Sequence, residues 1–278
     1  MTTATMLNKV TTGAGDTGRR RARRAANLRA TMLPLVGLVL VVVVWWLAVA
    51  GFKIDRFLLP SPIDVWNAFM ANPAFLLTQT WVTFVETVQG FLLAIVIGVP
   101  IAMIIASSKL IEQMIYPLLL AINAAPKVAI APLLVVWMGF GQAPKVVMVV
   151  LLCFFPIVLS TTAGLRSTPS EFIELAKSLN AKPLQTFLKF RAPFALEQIF
   201  VGLKTAISLA VIGAVIAEFV GASEGLGYLI VQSGSNANTA LAFVAIVLLA
   251  LMSIVLFYAL VFAERLLIPW AESQRATS

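Results

Sequence analysis

Long apolar runs, each broken by a few polar or turn-forming residues, organise the sequence from residue 33 to residue 264. A helix needs about 20 apolar residues to cross the hydrocarbon of a bilayer. Six segments reach that length: about 33–52, 79–106, 111–138, 143–165, 194–220 and 239–264. The first has the core Leu38-Val39-Leu40-Val41-Val42-Val43-Val44-Trp45-Trp46 and, with arginines before it and Ala48-Val49-Ala50 at its end, imitates a secretory signal. A signal's apolar region is about 7–15 residues, and the later runs are as apolar, so it is read as the first span. The third run contains Pro126, Lys127 and Pro132. It should be kinked or broken, as membrane helices tolerate where protein or a cavity satisfies the freed backbone groups. Counting that run as one span gives six helices, with five as the alternative.

Composition agrees with the pattern. Of 278 residues, 60% are hydrophobic and 12% charged, and the mean hydropathy is +0.98. Soluble domains average about 45–50% apolar and about 25% charged, so too little charge is present to cover a water-facing surface. The expected fold is all-α and polytopic in the membrane. No histidine and a single cysteine, Cys153, leave little room for metal, thiol or histidine-based catalysis and none for an internal disulfide. Cys153 lies in the run Val150–Phe155 and reads as a core residue.

The net charge of +8 is concentrated at the start. Seven basic residues (Lys9, Arg19, Arg20, Arg21, Arg23, Arg24, Arg29) precede the first run, with Asp16 the single acid there. This 1–31 arm buries too little apolar surface to fold alone. It reads foremost as a topology signal, with attraction to anionic membrane lipid as the functional alternative. Without interleaved aromatics or a recognition element it is not a nucleic-acid binder. With the amino terminus inside, the inner segments hold 15 basic residues: the seven of the arm plus Lys109, Arg166, Lys177, Lys182, Lys189, Arg191, Arg265 and Arg275. The outer segments hold three, Lys53, Arg56 and Lys145. The positive-inside rule then places both termini in the cytoplasm, with 32–270 as the transmembrane domain and 271–278 as a tail.

On the outer side, Ser61-Pro62 predicts a capped short interfacial helix, Gly139-Phe140-Gly141-Gln142 a tight turn, and Gly221–Thr239 the longest loop. The inner segment 166–193 is denser in signals. Thr168-Pro169-Ser170-Glu171 reads as a capping box with proline at the first helical position. Glu171 and Glu174 sit where the helix dipole favours acids, and Asn180 should end the helix, because asparagine tolerates the left-handed conformation. Pro183 then begins a second amphipathic piece over 184–190, and Pro193 opens the fifth span. Two short helices too polar to insert and too apolar to leave exposed call for a protein partner.

Glu174-Leu175-Ala176, Ser178-Leu179-Asn180-Ala181 and Arg191-Ala192-Pro193 resemble the EAA loop of ABC importer permeases. Leu175 stands for an alanine, Asn180 for the loop's glycine and Ala192 for its leucine; asparagine preserves the left-handed stop. Further segments are similar to type I permeases of the nitrate/sulfonate/taurine branch, which includes permeases for pyrimidine and flavin vitamins. They are Leu59–Pro62, Pro126–Leu133, Trp137–Gly141, Phe154-Phe155-Pro156, Gly202-Leu203-Lys204, Ala217–Ala222 and Gly225-Leu226-Gly227. The resemblance implies a permease subunit, two copies forming one pore, with a cytoplasmic coupling helix seated in each of two ATPase subunits and an extracytoplasmic binding protein delivering the solute. Glu174, Ala176, Lys177, Ser178, Leu179 and Asn180 would then face the ATPase. The chain has no Gly-x-x-x-x-Gly-Lys-[Ser/Thr] loop. It is therefore expected to be no enzyme and to carry no cofactor, with ATP and Mg bound by the partner.

A charge at the bilayer centre costs about 2.5–3.5 kcal/mol even on lenient scales, so Glu86, Lys127, Lys204 and Glu218 need partners or water. Glu86, Lys127 and Glu218 are candidates for lining or gating the pathway. Lys204 and Glu218 read first as groups fixing helix packing. The small-residue stripe Gly202, Ala206, Ala210, Gly213, Ala214 and Ala217 predicts either close helix packing or a slim pore wall. Polar groups for a ligand are few: Asn123, Thr161, Thr162, Thr205 and Ser208. The substrate is expected to be a sulfonate, taurine or nitrate-type anion or a pyrimidine or flavin vitamin precursor. Glu86, where sulfonate-type permeases often carry arginine, leans towards the second, as do Ala242–Ala245 and the stretch from Glu264-Arg265 to Pro269-Trp270. A self-contained secondary transporter or channel is the alternative, and a scaffold without transport a third.

Overall fold

A computed structural model describes residues 32–33 and 36–269. The basic arm, the tail and thus both termini lie outside the described residues. Every regular element among them is helical. The chain divides into two compact units, Met1–Val65 and Trp66–Ser278.

In the first unit α1 (Val36–Gly51) is apolar but shorter than a full span. Lys53 follows it in the left-handed conformation (φ 49°). Helix α2 (Pro62–Ala71) starts in this unit. Ser61 Oγ accepts from the Asp64 amide at 3.2 Å, and Asp64 Oδ2 accepts from the Ser61 amide at 3.1 Å and hydroxyl at 2.7 Å. This is a reciprocal cap with aspartate in the usual glutamate role, as Ser61-Pro62 predicted. The Ser61 hydroxyl, then its amide, hold the Asp64 carboxyl below its ordinary value.

The second unit is built on α3 (Pro73–Ser107), α6 (Gln142–Arg166) and α9 (Ala192–Gly221). Gly90 and Gly98 of α3 meet Val149 and Ile157 of α6, both pairs ascending, so these helices run parallel. Gly202 and Gly213 of α9 meet Ser160 and Val149 of α6, so α9 runs antiparallel to them. The stripe from Gly202 to Ala217 is buried throughout, which decides for close packing over a pore wall. A Cβ on Gly202 would lie 2.7 Å from Ser160 Oγ and 2.9 Å from the Pro156 carbonyl oxygen. Glycine there lets the two backbones approach. Phe91, Ala94, Val149, Cys153, Ile157, Phe200 and Ile207 fill the core, joined by Met252 and Leu256 of α11 (Thr239–Leu267).

Among the described residues, four helices are long and apolar enough to cross a membrane: 73–107, 142–166, 187–221 and 239–267. The expected third span is two pieces, α4 (Lys109–Ala124) and, after a 3-10 turn at Lys127–Ile130, α5 (Ala131–Met138), bent by 75°. Among the described residues the full spans thus number four, or five with the bent pair, where six was expected and five was the alternative; the expected first span, 33–52, is described only in part. Pro126 and Pro132 withhold amide donors at the bend. Large apolar side chains such as Val96, Ile104, Val136, Trp137, Val255 and Phe262 remain exposed on the outside of these helices, as a lipid-facing surface requires.

Three local expectations need correction. The loop 221–239 contains a further helix, α10 (Leu226–Ser235). The capping box at Thr168 does not form: α7 (Ser170–Ser178) has Pro169 as its N-cap, and Thr168 Oγ1 makes no hydrogen bond. The piece after Pro183 is not separate, because the turn α8 (Pro183–Thr186) passes through a π-helical turn, Phe187–Arg191, directly into α9. Pro193 lacks the amide that Lys189's carbonyl would otherwise receive, and the wider turn accommodates that gap.

Candidate functional site

The antiparallel arrangement gathers polar groups at one end of the bundle, around the starts of α3 and α6 and the end of α9. On α3, Gln79, Thr83, Glu86, Thr87 and Gly90 recur at spacings of three and four, forming one buried stripe. Lys145 occupies the first turn of α6 and Glu218 the last turn of α9. Each sits at the unfavourable end of its own helix dipole, so both depend on partners from other elements.

Lys145 Nζ donates to Glu86 Oε1 at 2.5 Å, with side chains 9% and 4% exposed. Glu86 Oε2 is buried, receives no hydrogen bond and neighbours the Glu218 carboxylate. Glu218 accepts from the Thr83 hydroxyl at 2.7 Å and from the Gly227 amide at 2.5 Å. The two preceding amides at the start of α10 are also taken, Gly225 by Gln79 Oε1 at 2.6 Å and Leu226 by Thr83 Oγ1 at 2.8 Å. Three consecutive amide donors of α10 are thereby docked onto α3 and α9 side chains, so the helix start finds its capping partners across the fold. Gly225 holds φ 112°, and a Cβ on it or on Gly227 would run into the Glu218 carboxylate. A shallow cavity of about 360 Å³, lined by Phe140, Gly141, Lys145, Val220, Gly221, Ala222 and Ser223, opens beside the cluster.

The structure thus brings Glu86 and Glu218 together but leaves Lys127 apart, where its Nζ donates to Asn123 Oδ1 at 2.7 Å across the α4–α5 break. Lys145, counted in the sequence among outer-segment charges, is the residue that completes the cluster. Its signal was an isolated lysine four residues after Gly141, at the start of an apolar run. Lys204 pairs with Glu264 of α11 towards the other end, fixing helix packing as expected.

That other end carries α7. Glu174, Lys177, Ser178, Leu179 and Asn180 are exposed. Ala176 is fully buried within the chain and has no surface to offer a partner, contrary to the expectation. It seats α7, assisted by Phe172 against Phe194 with ring centroids 5.1 Å apart. Asn180 adopts φ 51°. The Ala181 amide then reaches back to the Ala176 carbonyl at 3.0 Å and the Asn180 amide to Lys177 at 2.9 Å, closing the helix as asparagine predicted.

Residues 94–272 match the family model of the binding-protein-dependent transport system inner membrane component. The chain belongs to this family. It is a permease component of an ABC importer, integral to the inner membrane, and not an enzyme. A probable ABC transporter permease of Haemophilus influenzae is 37% identical, over 82% of this chain and 93% of its own. The formylaminopyrimidine transport permease ThiX of Halalkalibacterium halodurans is 34% identical, over 87% and 96%. Other relatives are named for riboflavin at 36% identity, taurine at 26% and nitrate at 24%. The fold is that of a chain of the methionine ABC transporter MetNI in inward-facing form, with TM-score 0.59 and 21% identity over 70% of this chain and 95% of that one. Membership implies that the permease works with a substrate-binding protein and an ATPase.

Proposed function

We propose that this permease forms, as a homodimer, the translocation pathway of an importer driven by two copies of a separate ATPase subunit that binds ATP and Mg. The observation that carries the reading is α7: a short exposed amphipathic helix, closed by Asn180 and joined through the 187–191 turn to α9, on the end of the bundle opposite the buried cluster. Glu174, Lys177, Ser178, Leu179 and Asn180 face the ATPase. That end is cytoplasmic, as are both termini, in keeping with the basic residues of 166–191.

At the outer end, Glu86, Lys145 and Glu218 close the bundle by tying α3, α6 and α9 to the start of α10, beneath the surface on which the binding protein docks. Lys127 lines the pathway at the α4–α5 break, where irregular backbone is tolerated beside protein or a cavity. The solute is a vitamin precursor of the pyrimidine or flavin type; the relatives named for such solutes are 34–36% identical, against 24–28% for those named for sulfonates, taurine and nitrate.

A tagged copy purified in mild detergent should bring down an ATPase subunit, and membranes should take up labelled formylaminopyrimidine or riboflavin only with ATP inside. Uptake without nucleotide by the purified permease alone would overturn the importer reading in favour of a secondary transporter. Lys127→Met should lower uptake at normal expression; unchanged uptake would remove Lys127 from the pathway.

A further inference from the structure

Arg166 is the last residue of α6, and three residues, 167–169, separate it from α7. Its guanidinium spans three elements. Nη2 points at the carbonyl oxygens of Ile105 at 3.5 Å and Ser108 at 3.3 Å, in and just after the last turn of α3. Nη1 pairs with Glu112 in the first turn of α4. A helix leaves its last carbonyls without internal donors, and a helix start favours an acid. One planar fork of donors meets both needs at once, which the point charge of a lysine cannot do. The two side chains are 31% and 27% exposed, so the contact is partly sheltered from water. Helix α4 has few other holds: none of its residues is buried, and Ile115 and Leu119 only partly cover Ala102, Ile105 and Val158.

We infer that Arg166 is a positioning residue that makes the inner ends of α3, α4 and α6 one mechanical unit, so that displacement of α7 is passed to α3 and α4. The inference rests on α7 receiving the ATPase. Without this fork the inner end of α6, with α7 three residues beyond it, could move while α4 stayed behind, because nothing else joins α6 to the α3–α4 corner by a charged contact among the described residues.

The test uses the complex of this permease with its co-purifying ATPase in lipid nanodiscs, on a Cys153→Ser background. Spin labels are placed at Gln113→Cys on α4 and Glu171→Cys on α7, both exposed, and labelled copies are diluted with unlabelled ones so that the within-chain distance is read. Between the nucleotide-free state and the state trapped with ATP and vanadate, that distance should stay constant. In Arg166→Ala it should change by about 5 Å or more, about the pitch of one helical turn, while the complex still assembles and hydrolyses ATP. Arg166→Lys, which keeps only the charge pair, should fall between them. Glu112→Gln supplies the same comparison if Arg166→Ala does not fold. A wild-type distance that changes on trapping, or an Arg166→Ala or Glu112→Gln distance that does not, overturns the inference and leaves the importer reading intact. Absence of any ATPase from wild-type preparations overturns that reading and this one together.

Discussion

Removing Lys145 while leaving Glu86 in place isolates a buried carboxylate. Lys145 Nζ is the hydrogen-bond donor to Glu86, Glu86 Oε2 already lacks one, and the residues are 7% and 3% exposed. Breaking a buried pair from one side costs about 3–5 kcal/mol, whereas replacing both partners by apolar groups of similar size is often neutral. For a chain of this size each kcal/mol moves Tm by about 2–4 °C, so Lys145→Met should lower Tm by roughly 10 °C. Glu86→Met should cost less, because Lys145 lies in the first turn of α6 and its long stem can carry the ammonium to water. The double variant should recover most of the loss. Cys153, the single cysteine and fully buried, makes the assay direct: a thiol-reactive dye reports its exposure on heating. Lys145→Met melting with the wild type, or a double variant less stable than Lys145→Met, would refute the assignment of this pair as a mutually dependent buried couple.

Gly202→Val should destabilise by about 1–3 kcal/mol through overpacking, read by the same dye, since Ser160 and the Pro156 carbonyl oxygen occupy the space a Cβ needs. Asn180→Val forces a branched residue into φ 51° at about 1–2 kcal/mol; it should reduce co-purifying ATPase and lower Tm by about 2–8 °C, and Asn180→Gly should preserve both. The Asp64 carboxylate, held below its ordinary pKa of 3.8 by Ser61, favours the folded start of α2 at neutral pH. That contribution is present above about pH 4 and lost as pH falls through the depressed value, so amide exchange at Asp64 and Val65, corrected for its intrinsic pH dependence, should rise on acidification. Ser61→Ala, which removes the hydroxyl donor but keeps the amide, should weaken that response.

Helix positions were legible because continuous apolar runs and turn residues are local signals. The α4–α5 break followed from Pro126 and Pro132, and the end of α7 from Asn180. Helix α10 was missed because Gly225, Gly227, Gly234 and Asn236 give its segment the composition of a loop. Its first turn is stabilised instead by Gln79, Thr83 and Glu218, the nearest of them seven residues away from Gly225 and the others more than 140. The supposed cap at Thr168 failed for the opposite reason, since a local motif with the right letters was not taken up by the backbone around Pro169.

The amino-acid sequence by itself determined that this chain is an all-helical membrane protein of the permease family, which segments are apolar, and where α7 ends. Those properties depend on solvent preference and on neighbours within a few residues. Only the tertiary structure decided that Lys145 pairs with Glu86 beside Glu218, that Ala176 faces inward, that the small-residue stripe of α9 is a packing seam, and that Arg166 grips α3 and α4. A charged group's cost in lipid says that it must have a partner, but the partner's identity depends on which helices run parallel and at what depth they meet, and that is settled only when the helices pack.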